Sequence, residues 1–133
     1  MNAYQQLNDY LVDVGVEVKI ERNTTFERKD FPEGSRHYNV TVSNQSGDSF
    51  LRVYSQGPAI EDEPSILAVL HSLVLDYDCG ELSFDDFCSD LGYNADSRED
   101  YKLWRSAKLI NVEMFNILGN DVIDRIRDIL SDY

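Results

Sequence analysis

Carboxylates are the residues of this sequence with the greatest capacity for chemistry, and nearly half of them lie in one third of the chain. The 133 residues carry 25 acids and 12 bases, which gives a formal net charge of −13 at pH 7. Residues 59–100 hold twelve acids and one base, so this segment alone carries −11. Acids at this density attract basic proteins or cations, or simply keep a chain soluble. The sequence therefore predicts a negative surface.

The partner-binding residues are expected among the acids and tyrosines of this segment. Helical residues three or four apart lie about 5–6 Å from one another, and phosphates follow one another along nucleic acid at a spacing of the same order. Rows of carboxylates can therefore occupy the basic groove in which another protein binds nucleic acid. The alternative is that these acids form a solvated face that only keeps the protein soluble. The predicted set is Glu61, Asp62, Glu63, Asp76, Asp78, Glu81, Asp85, Asp86, Asp90, Asp96, Glu99 and Asp100, with Tyr77 and Tyr93 as aromatic anchors. Four pairs have helical spacing: Glu81/Asp85, Asp86/Asp90, Asp96/Glu99 and Asp96/Asp100.

A calcium-responsive loop is a third hypothesis for part of this segment. Asp76, Asp78 and Asp86 occupy positions similar to those of a helix-flanked calcium loop. That loop requires another ligand before its glycine, and the span from Asp76 to Asp86 is one residue short. The pattern fits a turn with helix caps better, so no metal is expected.

The remaining reactive side chains show no catalytic pattern. The two histidines, His37 and His71, have no Cys or His partner at metal-ligand spacing. Cys79 and Cys88 are nine residues apart, which matches no zinc or redox pair. The sequence contains no nucleophile elbow and no glycine-rich phosphate loop. We expect a protein that is not an enzyme and that carries no cofactor.

Composition limits the class of binding partner and the cellular compartment that we expect. A pI of about 4.3 argues against direct binding to nucleic acid and to anionic membranes, both of which need clustered Lys and Arg. The sequence has no signal-peptide pattern and no apolar run near the roughly 20 residues that span a bilayer. Two cysteines do not form a disulfide framework. These features predict a cytoplasmic protein.

Apolar periodicity predicts an α+β fold in a single domain, residues 1–133. A short helix at 2–13 precedes a three-stranded antiparallel meander at 14–55, which contains a long loop at 23–37. About four helices at 64–131 form a C-terminal half that is expected to pack against the sheet. In that half, Ser83 with Asp86, and Asp96 with Glu99, are the expected helix N-caps, and Gly92 is an expected C-cap.

Residues 83–98, S-F-D-D-F-C-S-D-L-G-Y-N-A-D-S-R, resemble a motif of small bacteriophage and prophage proteins. That motif reads roughly S-F-E-D-F-C-x-E-F-G-Y-D-x-D-S-R; this chain departs from it at Leu91 and Asn94 and has Asp in place of Glu at Asp85 and Asp90. Residues 64–73, P-S-I-L-A-V-L-H-S-L, look like the P-x-x-x-x-V-L-x-x-L helix that precedes the motif in those proteins. The resemblance covers roughly residues 36–118.

The resemblance implies an origin in a mobile element that acts in a bacterial cytoplasm, and it brings no catalytic residues. Small acidic phage proteins often inhibit host defence enzymes by covering nucleic-acid sites, so by class analogy we expect an anti-CRISPR-like or anti-restriction inhibitor. Its partner would be a basic nucleic-acid-binding host protein. The alternative is a phage accessory or structural protein that binds another protein through the meander or the 23–37 loop. The target, the stoichiometry and the oligomeric state stay open.

Overall fold

The fold is that of a computed structural model, which describes residues 2–25, 31–76 and 81–131, without the side chains of residues 75 and 76. A three-stranded antiparallel sheet follows a short N-terminal helix, and helices occupy the C-terminal half, so the predicted α+β class is confirmed. The elements are α1 (Ala3–Asp13), β1 (Glu17–Arg22), β2 (Arg36–Ser43), β3 (Ser49–Gln56), α2 (Ile66–His71), a π-helical segment (Ser72–Asp76), α3 (Phe84–Leu91), α4 (Arg98–Leu118) and α5 (Asn120–Ser131).

The chain divides into two compact units, Met1–Val69 and Leu70–Tyr133. The prediction of a single domain stays a prediction. No helix in the described part of the chain is long and apolar enough to cross a membrane.

Asn2 is the N-cap of helix α1. The side chain of Asn2 accepts a hydrogen bond from the Gln5 amide at 2.9 Å, which satisfies one of the otherwise unpaired N–H groups of the first turn. Leu7 and Leu11, four residues apart, are its buried side chains. Gly15 has a φ of +71° and turns the chain from this helix into the sheet.

The sheet has the order β1-β2-β3, and its register explains the alternating sequence. Val18 lies opposite Val42, and Val42 lies opposite Phe50, so the three form one row across the sheet. Val42 and Phe50 are 0% and 4% exposed, whereas Leu51 on the opposite face is 51% exposed. One face is thus packed and one is open, as a period of two requires.

In the second unit, helix α4 presents one long buried stripe. Ala107, Met114 and Leu118 are buried at helical spacing. Leu103, four residues before Ala107, does not join this stripe, since its side chain is 47% exposed. Helix α5 is anchored by four buried residues at the same period: Ile123, Ile126, Ile129 and Leu130.

Candidate partner-binding surface

Helix α3 carries the centre of the predicted surface, and its two caps fix its ends. The Ser83 hydroxyl accepts a hydrogen bond from the Asp86 amide at 3.2 Å. Gly92 adopts the left-handed conformation, with a φ of 78°, and its amide donates to the Cys88 carbonyl. Both predicted caps are confirmed. An eight-residue helix is too short to be stable alone, so these caps and the burial of Phe87 and Cys88 hold it in place.

The acids of α3 face solvent because the buried pair occupies the other side. Asp85, Asp86 and Asp90 are exposed, and we call these three residues the α3 acidic face. Their carboxylates make no hydrogen bond or ion pair with the residues that the structure describes. Asp86 and Asp90 lie on one helix at the i, i+4 spacing, which places their β-carbons about 5–6 Å apart. This pair has the predicted geometry.

The start of α4 differs from the prediction by one residue. Ser97, not Asp96, is the N-cap, and it accepts from the Asp100 amide at 3.3 Å. The Asp100 carboxylate in turn accepts from the Asn94 amide at 2.8 Å. The predicted cap of Asp96 with Glu99 is therefore wrong. Asp96 lies before the helix, so neither of its two predicted pairs lies on a helical face. The Asp100 carboxylate stabilises the turn before α4 through its hydrogen bond with Asn94.

Glu81 is likewise engaged within the chain. Its carboxylate lies 2.7 Å from a guanidinium nitrogen of Arg127. Because α3 begins only after the Ser83 cap, Glu81 and Asp85 do not share a helix, and that predicted pair is also wrong. The sequence could not show this, since the partner comes from α5, 46 residues further along.

Tyr93 is held in a fixed position that leaves part of its ring exposed. It stacks on the buried Phe87, with ring centroids 4.7 Å apart and planes 1° from parallel. Its side chain is 38% exposed, and its amide donates to the Cys88 carbonyl at 3.0 Å. A ring fixed in this way loses little conformational entropy on binding, as an aromatic anchor requires.

The other predicted residues lie elsewhere. Glu61, Asp62 and Glu63 are exposed in the first unit, where the Asp62 carbonyl accepts from the Gln56 side chain at 2.7 Å. The Asp76 side chain, Tyr77 and Asp78 lie outside the described residues. Within the second unit the structure thus assembles a smaller set of exposed carboxylates without internal partners than the sequence predicts: Asp85, Asp86, Asp90, Asp96 and Glu99.

The described residues contain neither a metal-binding cluster nor a reactive cysteine. No group of three or more His, Cys, Asp or Glu side chains among them can hold a metal ion, while the proposed calcium loop depends on Asp78, which is not described. Cys88 is a buried free thiol. Burial, assisted by the nearby charges of Asp100 and Asp85, raises its pKa. The thiol is therefore protonated and unreactive at neutral pH.

Sequence reasoning missed a serine–histidine contact in the sheet. The Nδ1 atom of His37 lies 2.6 Å from the Ser55 hydroxyl, and the two residues are directly opposite in the β2–β3 register. The rings of His37 and Phe31 are also nearly perpendicular, with their centroids 5.5 Å apart. The contact is a cross-strand pair that stabilises the sheet. Only the register brings the two residues together, so spacing along the chain gave no signal.

A second charged surface was also missed, on the outer side of α4. Arg98, Lys102 and Arg105 recur at i, i+4 and i+7 and are exposed. We call them the α4 basic face, and they form no ion pair within the described ranges. Leu109 and Val112, 56% and 46% exposed, continue the same side of the helix. The signal was present in the spacing, but residues 101–133 have five acids and five bases, and this zero net charge concealed it.

Comparison of the chain with protein-family models, with curated proteins and with solved structures gives no match. The resemblance to the phage motif therefore stays a prediction, and any functional argument depends on the geometry of the chain itself.

Proposed function

We propose that this protein is a phage-encoded, stoichiometric inhibitor that presents the carboxylates of the α3 region to the basic nucleic-acid-binding surface of a host defence complex. One observation carries the proposal. Five exposed carboxylates between residues 85 and 99 have no internal hydrogen-bond or ion-pair partner in the described structure: Asp85, Asp86, Asp90, Asp96 and Glu99.

Carboxylates without internal partners are the ones a basic protein can use at least cost. A paired acid such as Glu81 must first give up its contact with Arg127, whereas Asp86 and Asp90 give up only water. Close charge pairs across interfaces have shown coupling energies of about 1.5–7 kcal/mol. A concentrated negative field also speeds encounter with a basic partner, and this acceleration weakens as salt rises.

The dimensions of α3 favour a nucleic-acid-binding surface as the partner. Eight helical residues span about 12 Å, and phosphates of one DNA strand advance about 3.4 Å along the axis per step. Asp85 and Asp90 are five residues apart, so the three acids of the α3 acidic face spread their charge over about 7.5 Å of the helix, a length of about two phosphate steps. Lys and Arg groups arranged to hold phosphates form the same charge-assisted hydrogen bonds with carboxylates. The class of target, a CRISPR effector or a restriction enzyme, comes from the phage resemblance.

Charge reversal of the one confirmed helical pair tests the proposal. We expect Asp86→Lys/Asp90→Lys to abolish displacement of labelled nucleic acid from the target while leaving the circular-dichroism spectrum unchanged. The matched control is Asp9→Lys/Asp13→Lys, because these acids are also exposed and four apart on a helix, but in α1. Equal loss of displacement in both variants would mean that the net charge of the protein, not the α3 acidic face, causes the effect. Full displacement by the α3 variant would refute the proposal.

A second candidate function is supported by the open face of the sheet. Leu51 and Val53 are 51% and 37% exposed, and they lie on β3, an edge strand of the sheet. An edge strand with exposed apolar side chains is suited to protein–protein association. If the chain is an assembly module, Leu51→Thr/Val53→Thr will weaken partner binding at every salt concentration, and the α3 reversal will have no effect.

A further inference from the structure

The α4 basic face is a local exception in a strongly acidic molecule. Arg98, Lys102 and Arg105 present three positive charges along one side of the helix, and none of them has an ion-pair partner in the structure as described. Residues 101–112 contain no acid at all. Beyond the basic residues, Leu109 and Val112 add exposed apolar area. Arginine with exposed apolar and aromatic residues is the composition of a protein interface rather than of an ordinary solvated helix.

The complementary surface belongs to the neighbouring helix of the same unit. The Phe84 ring, at the start of α3, contacts the Tyr101 ring at a centroid distance of 5.2 Å and the Trp104 ring at 5.5 Å. The Trp104 indole N–H also donates to the Leu82 carbonyl at 3.0 Å. These contacts pack the start of α3 against the first turns of α4. The two charged faces thus lie on adjacent helices, and no ion pair within 4 Å joins them in the described chain.

We propose that the α4 basic face docks on the α3 acidic face of a second copy of this chain, in a twofold-symmetric dimer. A twofold-symmetric interface can pair two complementary faces of one chain, because the contact of the basic face of one copy with the acidic face of the other then occurs twice. Leu109 and Val112 supply apolar area to the centre of the contact. The inference does not depend on the inhibitory function proposed above.

A second copy fits this face better than nucleic acid does. Three bases on a molecule with a net charge of −13 release few counterions, while the remaining acids repel phosphates. The stripe from Arg98 to Val112 is about 22 Å long and about 10 Å wide. With α3 added, each copy contributes on the order of 500 Å², below the roughly 800 Å² per partner of a standard stable interface. The dimer is therefore weak and reversible.

Light scattering over a protein concentration series tests the dimer. We expect the mass to rise from 15.3 kDa towards twice that value as concentration increases from about 10 μM to about 1 mM, the range of a weak interface. Association should be strongest near about 0.15 M salt, where long-range repulsion between acidic copies is screened but close pairs survive, and it should fall at about 1 M.

Two charge-reversal variants identify the contact. Lys102→Glu/Arg105→Glu and Asp86→Lys/Asp90→Lys should each be monomeric alone, since each brings like charges together. Their equimolar mixture should form a heterodimer, because both contacts then join opposite charges. Arg125→Glu, which reverses an exposed base on α5, is the control and should dimerise like the wild type.

A wild-type chain that stays monomeric at about 1 mM would overturn the proposal. Dimerisation that persists in the two double variants, or a mixture that remains monomeric although both variants are folded by circular dichroism, would also overturn it. A labelled oligonucleotide provides the competing outcome. If the monomeric wild type binds it and Lys102→Glu/Arg105→Glu does not, the α4 basic face binds nucleic acid instead.

Discussion

Asp100 tests directly whether some acids of this region stabilise the fold while others, such as Asp86, do not. Its carboxylate accepts a hydrogen bond from the Asn94 amide at 2.8 Å, and its own amide donates to the Ser97 hydroxyl. It also lies in the first turn of α4, where a negative charge meets the positive end of the helix dipole. Asp100→Ala therefore removes an interaction that the fold uses, unlike the same change at Asp86.

The size of the effect follows from these contacts. A hydrogen bond to a charged group contributes about 1.5–3 kcal/mol, and an acid at a helix N-terminus contributes about 0.3–1 kcal/mol. Because the Asn94 contact is solvent-exposed, water can replace part of it, so the lower end of the range applies. We expect Asp100→Ala to reduce the free energy of unfolding by about 1.5 kcal/mol.

Urea denaturation followed by circular dichroism measures this loss. With a slope of about 1.5 kcal/mol per molar urea, the midpoint should fall by about 1 M. Asp100→Asn keeps an acceptor oxygen without the charge and should lose about half as much. Asp86→Ala, also in the first turn of a helix but without a side-chain partner, should lower the midpoint only by the helix-dipole contribution, about 0.2–0.7 M. Equal midpoints for Asp100→Ala and Asp86→Ala would refute this division of roles.

Three further predictions concern the second unit. Because burial raises the Cys88 pKa, the folded state disfavours the thiolate; the free energy of unfolding should decrease as pH rises above the ordinary thiol value of about 8.5, and Cys88→Val should remove that pH slope in urea titrations. Glu81→Gln should cost less than about 1 kcal/mol, since the ion pair with Arg127 is partly exposed, and the difference from wild type should shrink in about 1 M salt. Trp104→Phe should cost about 1–2 kcal/mol in thermal or chemical denaturation, because the hydrogen bond to the Leu82 carbonyl is lost.

Local patterns in the sequence predicted the fold class and both caps of α3 correctly. Alternation at period two accounts for the packed and open faces of the sheet, and the caps at Ser83 and Gly92 depend only on nearby residues. The α4 cap was displaced by one position because Asp96 and Ser97 are both good caps. Only the turn, in which the Asn94 side chain accepts from the Asp96 amide, selects Ser97.

The candidate site was predicted less well because it depends on contacts between elements. The Asp86/Asp90 pair was predictable, since one helix contains both residues. The engagement of Glu81 by Arg127 and the exposure of Leu103 depend on how the elements of the second unit pack, which periodicity does not specify. The spacing of the basic residues indicated the α4 basic face, but the net charge of the whole segment is zero and therefore gave no sign of it.

The central claim is that the exposed α3 carboxylates engage a basic nucleic-acid-binding surface. The most direct measurement is competition: a candidate host complex is captured from bacterial lysate with the protein, and displacement of its labelled nucleic acid is titrated against the wild type and Asp86→Lys/Asp90→Lys. The account predicts displacement by the wild type that is complete near one protein per complex, weakens with salt, and is lost in the variant. Equal displacement by the wild type and the variant, or binding that is indifferent to salt and leaves the nucleic acid in place, would contradict it.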